Sequence, residues 1–323
     1  MKQGNECPMH KEQRGHVYHK TLITMRKRLL KFNVDKLKVC YKQPQNVLDN
    51  LARQKRNAVV PFGEDTGYNL HIKENFRTEI TADVQQAGKS LGTFQFNGAG
   101  RYENLCFLDA SNKTLYGDEC LPFLTEVGEQ FETNSITQVD VAADVNVNAT
   151  FRIRRYIQDI KNFDMILNGK VITDPTERLD NYGEWKGRSR GKIDRIPTLY
   201  IKQAGSGLKL RAYDKQKEIE DESNKTYITT ANGFSGHRVE VCVKWEQFKK
   251  WLDYINKSKF SETQWKRQDD ETEKKYIGRS VLLLFGDEAY RRALWCYCTH
   301  RLLHFRIRGE RKTVSMYDLI TAQ

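Results

Sequence analysis

Three short stretches place carboxylates beside groups that can hold or attack a phosphorus centre. They are VDVAAD, with Asp140 and Asp144; LRAYDKQKE, with Tyr213, Asp214 and Lys215; and HRVE, with His237, Arg238 and Glu240. Paired acids suit a hard divalent cation, since Mg²⁺ takes one or two carboxylates, several waters and substrate phosphate oxygens. Such an ion polarises a phosphoryl oxygen. A tyrosine beside it is a nucleophile able to form a covalent phosphate ester. A neighbouring lysine lowers the phenol's proton affinity or stabilises developing charge. On residue type alone, Tyr213 and Tyr200 are both candidate nucleophiles, with Tyr213 preferred.

These residues need elements to hold them. Side chains alternate along a strand, so in Ile136–Val147 the residues Ile136, Gln138, Asp140, Ala142 and Asp144 fall on one face. Thr137, Val139, Val141, Ala143 and Val145 fall on the other. One face is apolar and can be buried, whereas the opposite face carries two acids. Leu199–Lys202 and Leu208–Tyr213 read as a hairpin turned by Ala204–Gly207. His237–Lys244 is a further strand, on which Glu240 points away from Val239 and Val241.

Around this core, Val47–Arg56 and Leu121–Phe131 have helical spacing, and Gly92–Gly98 alternates as an antiparallel strand. Thr150–Phe163 reads as a helix capped by Thr150, and Trp245–Asn256 as an amphipathic helix. Residues 1–45 form a basic N-terminal segment containing His16 and His19. Residues 46–256 form an α+β body, and 257–323 a mainly helical, basic C-terminal region that begins in a charged stretch.

The order of the three motifs resembles the replication initiation factor family of rolling-circle initiators. Its members serve small plasmids and filamentous phages, and include related relaxases of mobile elements. The likeness spans roughly Gln130 to Lys250: an acidic strand, a hairpin ending in Tyr213–Glu218, then Arg238–Glu240. Two positions depart from the pattern. Gln138 stands where the family often has arginine, and Gly207 where the turn often has a second serine. The resemblance implies an α+β fold with an antiparallel-sheet nicking domain. Its core would be RRM/HUH-like without the His-x-His motif, and a helical C-terminal extension would follow. It implies Tyr213 as nucleophile with Lys215 beside the scissile phosphate. Asp140 and Glu240 are then the leading ligands for Mg²⁺ or Mn²⁺, with Asp144 as a further one. The product would be a 5′-phosphotyrosyl link with a free 3′-OH. It implies a homodimer acting with a host helicase and polymerase on a single-stranded or hairpin origin. A DNA-binding regulator without nuclease activity, a conjugative relaxase and a primase-like enzyme are the alternatives.

Composition agrees with a polyanionic partner. The 323 residues carry 54 Lys+Arg against 42 Asp+Glu, a net charge of +12. Arg188, Arg190 and Lys192 lie in a Gly-rich loop suited to phosphate contact. Arg211, Arg238, Arg306 and Arg308 complete the expected DNA contacts, the last two in a basic arm or helix over His300–Lys312. Tyr182, Trp185 and Tyr200 are candidates to stack on unpaired bases. Seven cysteines without a CxxC spacing argue against a metal knuckle or secreted disulfide framework and for reduced thiols in a cytosol, and the resemblance implies the cytoplasm of a bacterial host. No apolar run reaches the length of a membrane helix.

Overall fold

The computed structural model describes residues 30–63, 66–76, 78–174, 182–185, 198–202, 205–228, 236–259 and 270–322. Its strands, in chain order, are β1 (Leu30–Lys42), β2 (Val59–Phe62), β3 (Tyr68–Phe76), β4 (Glu79–Gln86), β5 (Lys89–Asn97), β6 (Leu105–Ala110), β7 (Glu132–Val145), β8 (Phe163–Leu167), β9 (Lys170–Ile172), β10 (Tyr182–Trp185), β11 (Thr198–Lys202), β12 (Leu208–Asp214), β13 (His237–Lys244), β14 (Leu303–Ile307) and β15 (Thr313–Val314). Eleven form one sheet in the order β10-β11-β12-β13-β7-β1-β6-β5-β4-β3-β2. The other four form a small sheet, β15-β14-β8-β9. Every pairing in both sheets is antiparallel.

One face of the large sheet is apolar throughout. Val139 and Val141 of β7, Val239 and Val241 of β13, Leu210 of β12 and Leu199 of β11 are all buried there. The helices Trp245–Lys259, Asp270–Gly286 and Glu288–Leu302 pack against this side of the β1, β7 and β13 region. They do so because their apolar residues recur at helical spacing: Phe248, Trp251 and Leu252; Ile277, Val281 and Leu284; Leu294, Trp295, Cys298 and Leu302. Burying each large side chain contributes about 1.5–3 kcal/mol. Trp295 also donates its indole N–H to the Val239 carbonyl at 3.0 Å. In the β2–β6 half, the helix Cys120–Gln130 takes part in an aromatic core of Tyr41, Phe62, Phe94, Phe123 and Phe131.

Several sequence expectations change here. Leu30–Lys42 is not part of a basic tail but the strand between β6 and β7, at the middle of the sheet. Residues 257–323 are no separate helical extension either, since their helices cover the sheet's apolar face and share its core. The His300–Lys312 stretch leaves its helix at Leu302 and turns into β14, which pairs with β8. The helix Ala149–Gln158 is capped by Asn148, whose Oδ1 accepts from the Phe151 amide at 2.9 Å, rather than by Thr150. His16, His19, Arg188, Arg190 and Lys192 lie outside the described residues, as do the side chains of Tyr182 and Trp185.

The face opposite the helices is polar and open. Two of the three register shifts between β1 and β7 shape it. Opposite β7, the pairing of β1 steps from Val34↔Val141 to Lys36↔Asp140, which leaves Asp35 as an extra residue in a bulge. A second step, between Lys38↔Gln138 and Val39↔Ile136, turns Ile136 into the core and leaves Thr137 on the polar side. Bulges of this kind re-aim side chains, often beside functional sites.

Candidate active site

Cross-strand register brings the three motifs together. Tyr213 faces Arg238, Arg211 faces Glu240, Arg238 faces Asp144, and Cys242 faces Asp140. All these side chains stand on the polar face of β12, β13 and β7, and they sort into two environments.

The first is closed. The Arg238 guanidinium is fully buried. Its Nε and Nη2 donate to Asp144 Oδ1 and Oδ2 at 2.7 and 2.9 Å, and its Nη1 donates to Asp35 Oδ1 at 2.6 Å. Asn33 Nδ2 also donates to Asp144 Oδ2 at 2.8 Å, and the Tyr116 hydroxyl donates to Asp35 Oδ1 at 2.8 Å. Burial opposes the ionised form of Asp35, but Arg238 and then Lys215 outweigh it and hold the carboxyl below its ordinary range. Burial likewise works against the charge on Arg238, while Asp144, Tyr116 and Asp35 keep it protonated far beyond its usual range. Bidentate pairing of this kind is strong and geometrically demanding. Arg238 is therefore not a surface contact for DNA: its donors are spent inside the protein. Both oxygens of Asp144 are likewise committed to Arg238 and Asn33, which leaves no face for a metal ion.

The second environment borders open clefts, although Asp140, Tyr213, Lys215 and Glu240 are themselves largely buried. Asp140 accepts from Gln138 Nε2 at 2.8 Å and lines a cleft of about 510 Å³ together with Asp35, Lys36, Tyr200, Lys209 and Arg211. A smaller pocket of about 230 Å³ is lined by Tyr213, Lys215, Thr198 and Glu218, and it shares Asp35, Tyr200, Arg211 and Lys225 with the cleft. The Tyr213 ring is 7 % exposed, and its hydroxyl donates to Glu240 Oε2 at 3.3 Å. Glu240 Oε1 is ion-paired with Arg211. Burial, reinforced by the charge of Asp35, pushes the Glu240 carboxyl up to about 7. Burial, and then Glu240, raises the Tyr213 phenol well above its ordinary value. Lys215 is buried and paired with Glu218 at 2.5 Å, with its Nζ 5.7 Å from the centre of the Tyr213 ring. Burial, and then Arg238, lowers its proton affinity.

The expected ligand set Asp140, Asp144 and Glu240 does not converge. Among the described residues no group of three or more His, Cys, Asp or Glu is placed to hold a metal ion. Glu240 is occupied by Arg211 and Tyr213, and Asp144 by Arg238. What the cleft offers a cation is Asp140 with Asp35 close by. That donor set fits Mg²⁺, which takes as few as one or two carboxylates and fills its shell with water and phosphate oxygens.

Asp35 is the residue that sequence reasoning missed. Its signal is a break in spacing: Phe32 and Val34 are buried two apart, then Leu37 and Val39, with one residue too many between the pairs. Of the other expected DNA contacts, Arg211 stands in the cleft. Arg306 of β14 and Arg308, just beyond its end, both pair with Asp164, at 2.9 and 3.1 Å.

No family model and no curated protein matches this chain. Among solved structures, a rolling circle replication initiator protein from Geobacillus stearothermophilus is similar in layout. The match covers 71 % of this chain and 80 % of that one, at 13 % identity and a TM-score of 0.41. Similarity of that extent carries no argument about the role of this chain.

Proposed function

We propose that this protein cleaves one strand of DNA by nucleophilic attack of Tyr213 on a phosphodiester, as an initiator of rolling-circle replication. One observation carries the reading: the Tyr213 hydroxyl donates to a buried glutamate whose proton affinity is raised to about 7, at the junction of two clefts lined by Arg211, Lys215 and Lys225. A carboxylate tuned to that value is matched to accept a proton near neutral pH. As Tyr213 Oη bonds to phosphorus, its proton passes to Glu240. The bond from phosphorus to the 3′ oxygen breaks, and that oxygen takes a proton from Lys215 or water. The products are a 5′-phosphotyrosyl protein and a free 3′-OH. Arg211 and Lys225 are placed to offset the charge on the phosphoryl oxygens. Mg²⁺ or Mn²⁺ would be held by Asp140, with Asp35 beside it, and when bound would polarise the scissile phosphate. The order of the acidic strand, the Tyr213–Glu218 hairpin end and the Arg238–Glu240 strand supports the replication setting. Association with a second copy, a host helicase and a polymerase belongs to the same reading.

The test is a labelled single-stranded or hairpin origin oligonucleotide incubated with protein and Mg²⁺. A covalent protein–DNA band that disappears in Tyr213→Phe supports the assignment, and wild-type cleavage by Tyr213→Phe eliminates it. One feature favours a second reading, a DNA-binding regulator without nuclease activity: the Tyr213 side chain is nearly covered. Origin binding that is indifferent to chelator, with no adduct under any metal, would establish that alternative.

A further inference from the structure

The polar face of the sheet does not end at the cleft. Beyond Asp109 and Ala110, which line both, a second trough of about 600 Å³ continues across β1, β6, β5 and β4. Its walls are of a different kind. Thr81, Ser90, Thr93, Gln95, Ser111 and Thr137 supply hydroxyl and amide groups. Of its charged residues, Lys38 pairs with Asp109 at 2.5 Å, and Glu79 lies at the β4 end. Phe107 stands on this polar face although a phenyl ring gains nothing from water there. Against it, edge to face at 5.5 Å, lies Tyr102, which is 48 % exposed, and the Arg101 guanidinium sits 5.7 Å from the Tyr102 ring centre. An arginine–tyrosine–phenylalanine cluster beside a trough lined mainly by hydroxyl and amide groups matches the stacking surfaces that bind unpaired bases without reading sequence.

We infer that this trough is a second binding site, for the single-stranded DNA that flanks the scissile phosphate, held through its bases by Phe107 and Tyr102. The inference rests on the DNA-cleaving reading and extends it to the strand's path. Cleft and trough together cross from β11 to β4, seven inter-strand steps of about 4.8 Å, or roughly 34 Å, which accommodates several nucleotides. The two halves hold the strand by different forces. Lys36, Lys209, Arg211 and Lys225 in the cleft region attract phosphates, an interaction that salt weakens. In the trough, stacking dominates and is far less sensitive to salt.

The experiment uses fluorescein-labelled single strands: a minimal oligonucleotide across the cleavage site, and versions lengthened by eight nucleotides on the 5′ or the 3′ side. Anisotropy titrations with the full-length protein at low and high salt give affinities, and the minimal oligonucleotide also reports nicking. One of the two extensions tightens wild-type binding by roughly tenfold or more, and that gain persists at high salt. Phe107→Ala and the pair of exposed-residue substitutions Arg101→Ala with Tyr102→Ala abolish the gain, while nicking and binding of the minimal strand stay at wild-type level. An extension that adds nothing in wild type, a gain that survives both variants, or a gain that salt removes overturns the trough assignment. Loss of nicking in wild type leaves the extension measurement readable and overturns the cleavage reading instead.

Discussion

Asp140 and Asp144 stand four residues apart on one strand and one face, yet they end in opposite surroundings. Asp144 is locked by a bidentate arginine and an asparagine, with no oxygen left to offer. Asp140 has a glutamine donor and an open cleft in front of it. The difference is made by what each faces across the sheet: Arg238 opposite one, Cys242 opposite the other. Identical residues on identical spacing thus divide into a part that holds the strands together and a part left available for chemistry. A buried carboxylate beside a tyrosine motif is no sign of catalysis until its partners are known.

Four measurements break or sharpen this contrast. The largest effect belongs to the open side. Tyr213→Phe lowers nicking more than about 10³-fold and removes the covalent adduct, with thermal stability nearly unchanged. On the closed side, Arg238→Met strands two buried carboxylates and costs about 3–5 kcal/mol in chemical denaturation. If Asp140→Asn destabilises the protein as much, the division between the two acids collapses. Asp140→Asn instead lowers Mg²⁺-dependent nicking by about 10- to 100-fold and shifts stability by less than about 1 kcal/mol. The smallest effect is a slope. Glu240 is held above its ordinary 4.5, at about 7. Between those values the folded protein binds a proton that the unfolded chain lacks, so stability falls as pH rises through the window. Denaturation in the presence of chelator gives a loss of about 1 kcal/mol from about pH 5.5 to about pH 6.5. Glu240→Gln flattens that slope, and an unchanged slope in the variant would remove Glu240 as its source.

Alternation made much of the site legible. The valines of β7 and β13, the Leu208–Tyr213 strand and the amphipathic Trp245 helix are all readable from period alone, because each has one face that must leave water. Three things were not. Whether Asp144 meets a cation depends on a partner 94 residues away, and no local pattern records that pairing. The location of Leu30–Lys42 at the sheet's centre was hidden by its lysines, which lie on the polar face and read as a basic tail. The role of the helices Asp270–Gly286 and Glu288–Leu302 emerges only when the sheet's apolar side needs a cover. Their own sequence shows apolar residues without saying what they cover.

Phe32, at the start of that central strand, has its amide bound by Glu288 and its carbonyl by Arg291, 256 and 259 residues further along. During synthesis the strand bearing Asp35 therefore waits for nearly the whole polypeptide before its end is fastened. At about 5–20 residues per second this interval is roughly 13–52 s. A ribosome-bound fragment that already contains Tyr213 lacks this clasp on the central strand. On the proposed reading, DNA cleavage would thus wait until the helix Glu288–Leu302 has been made.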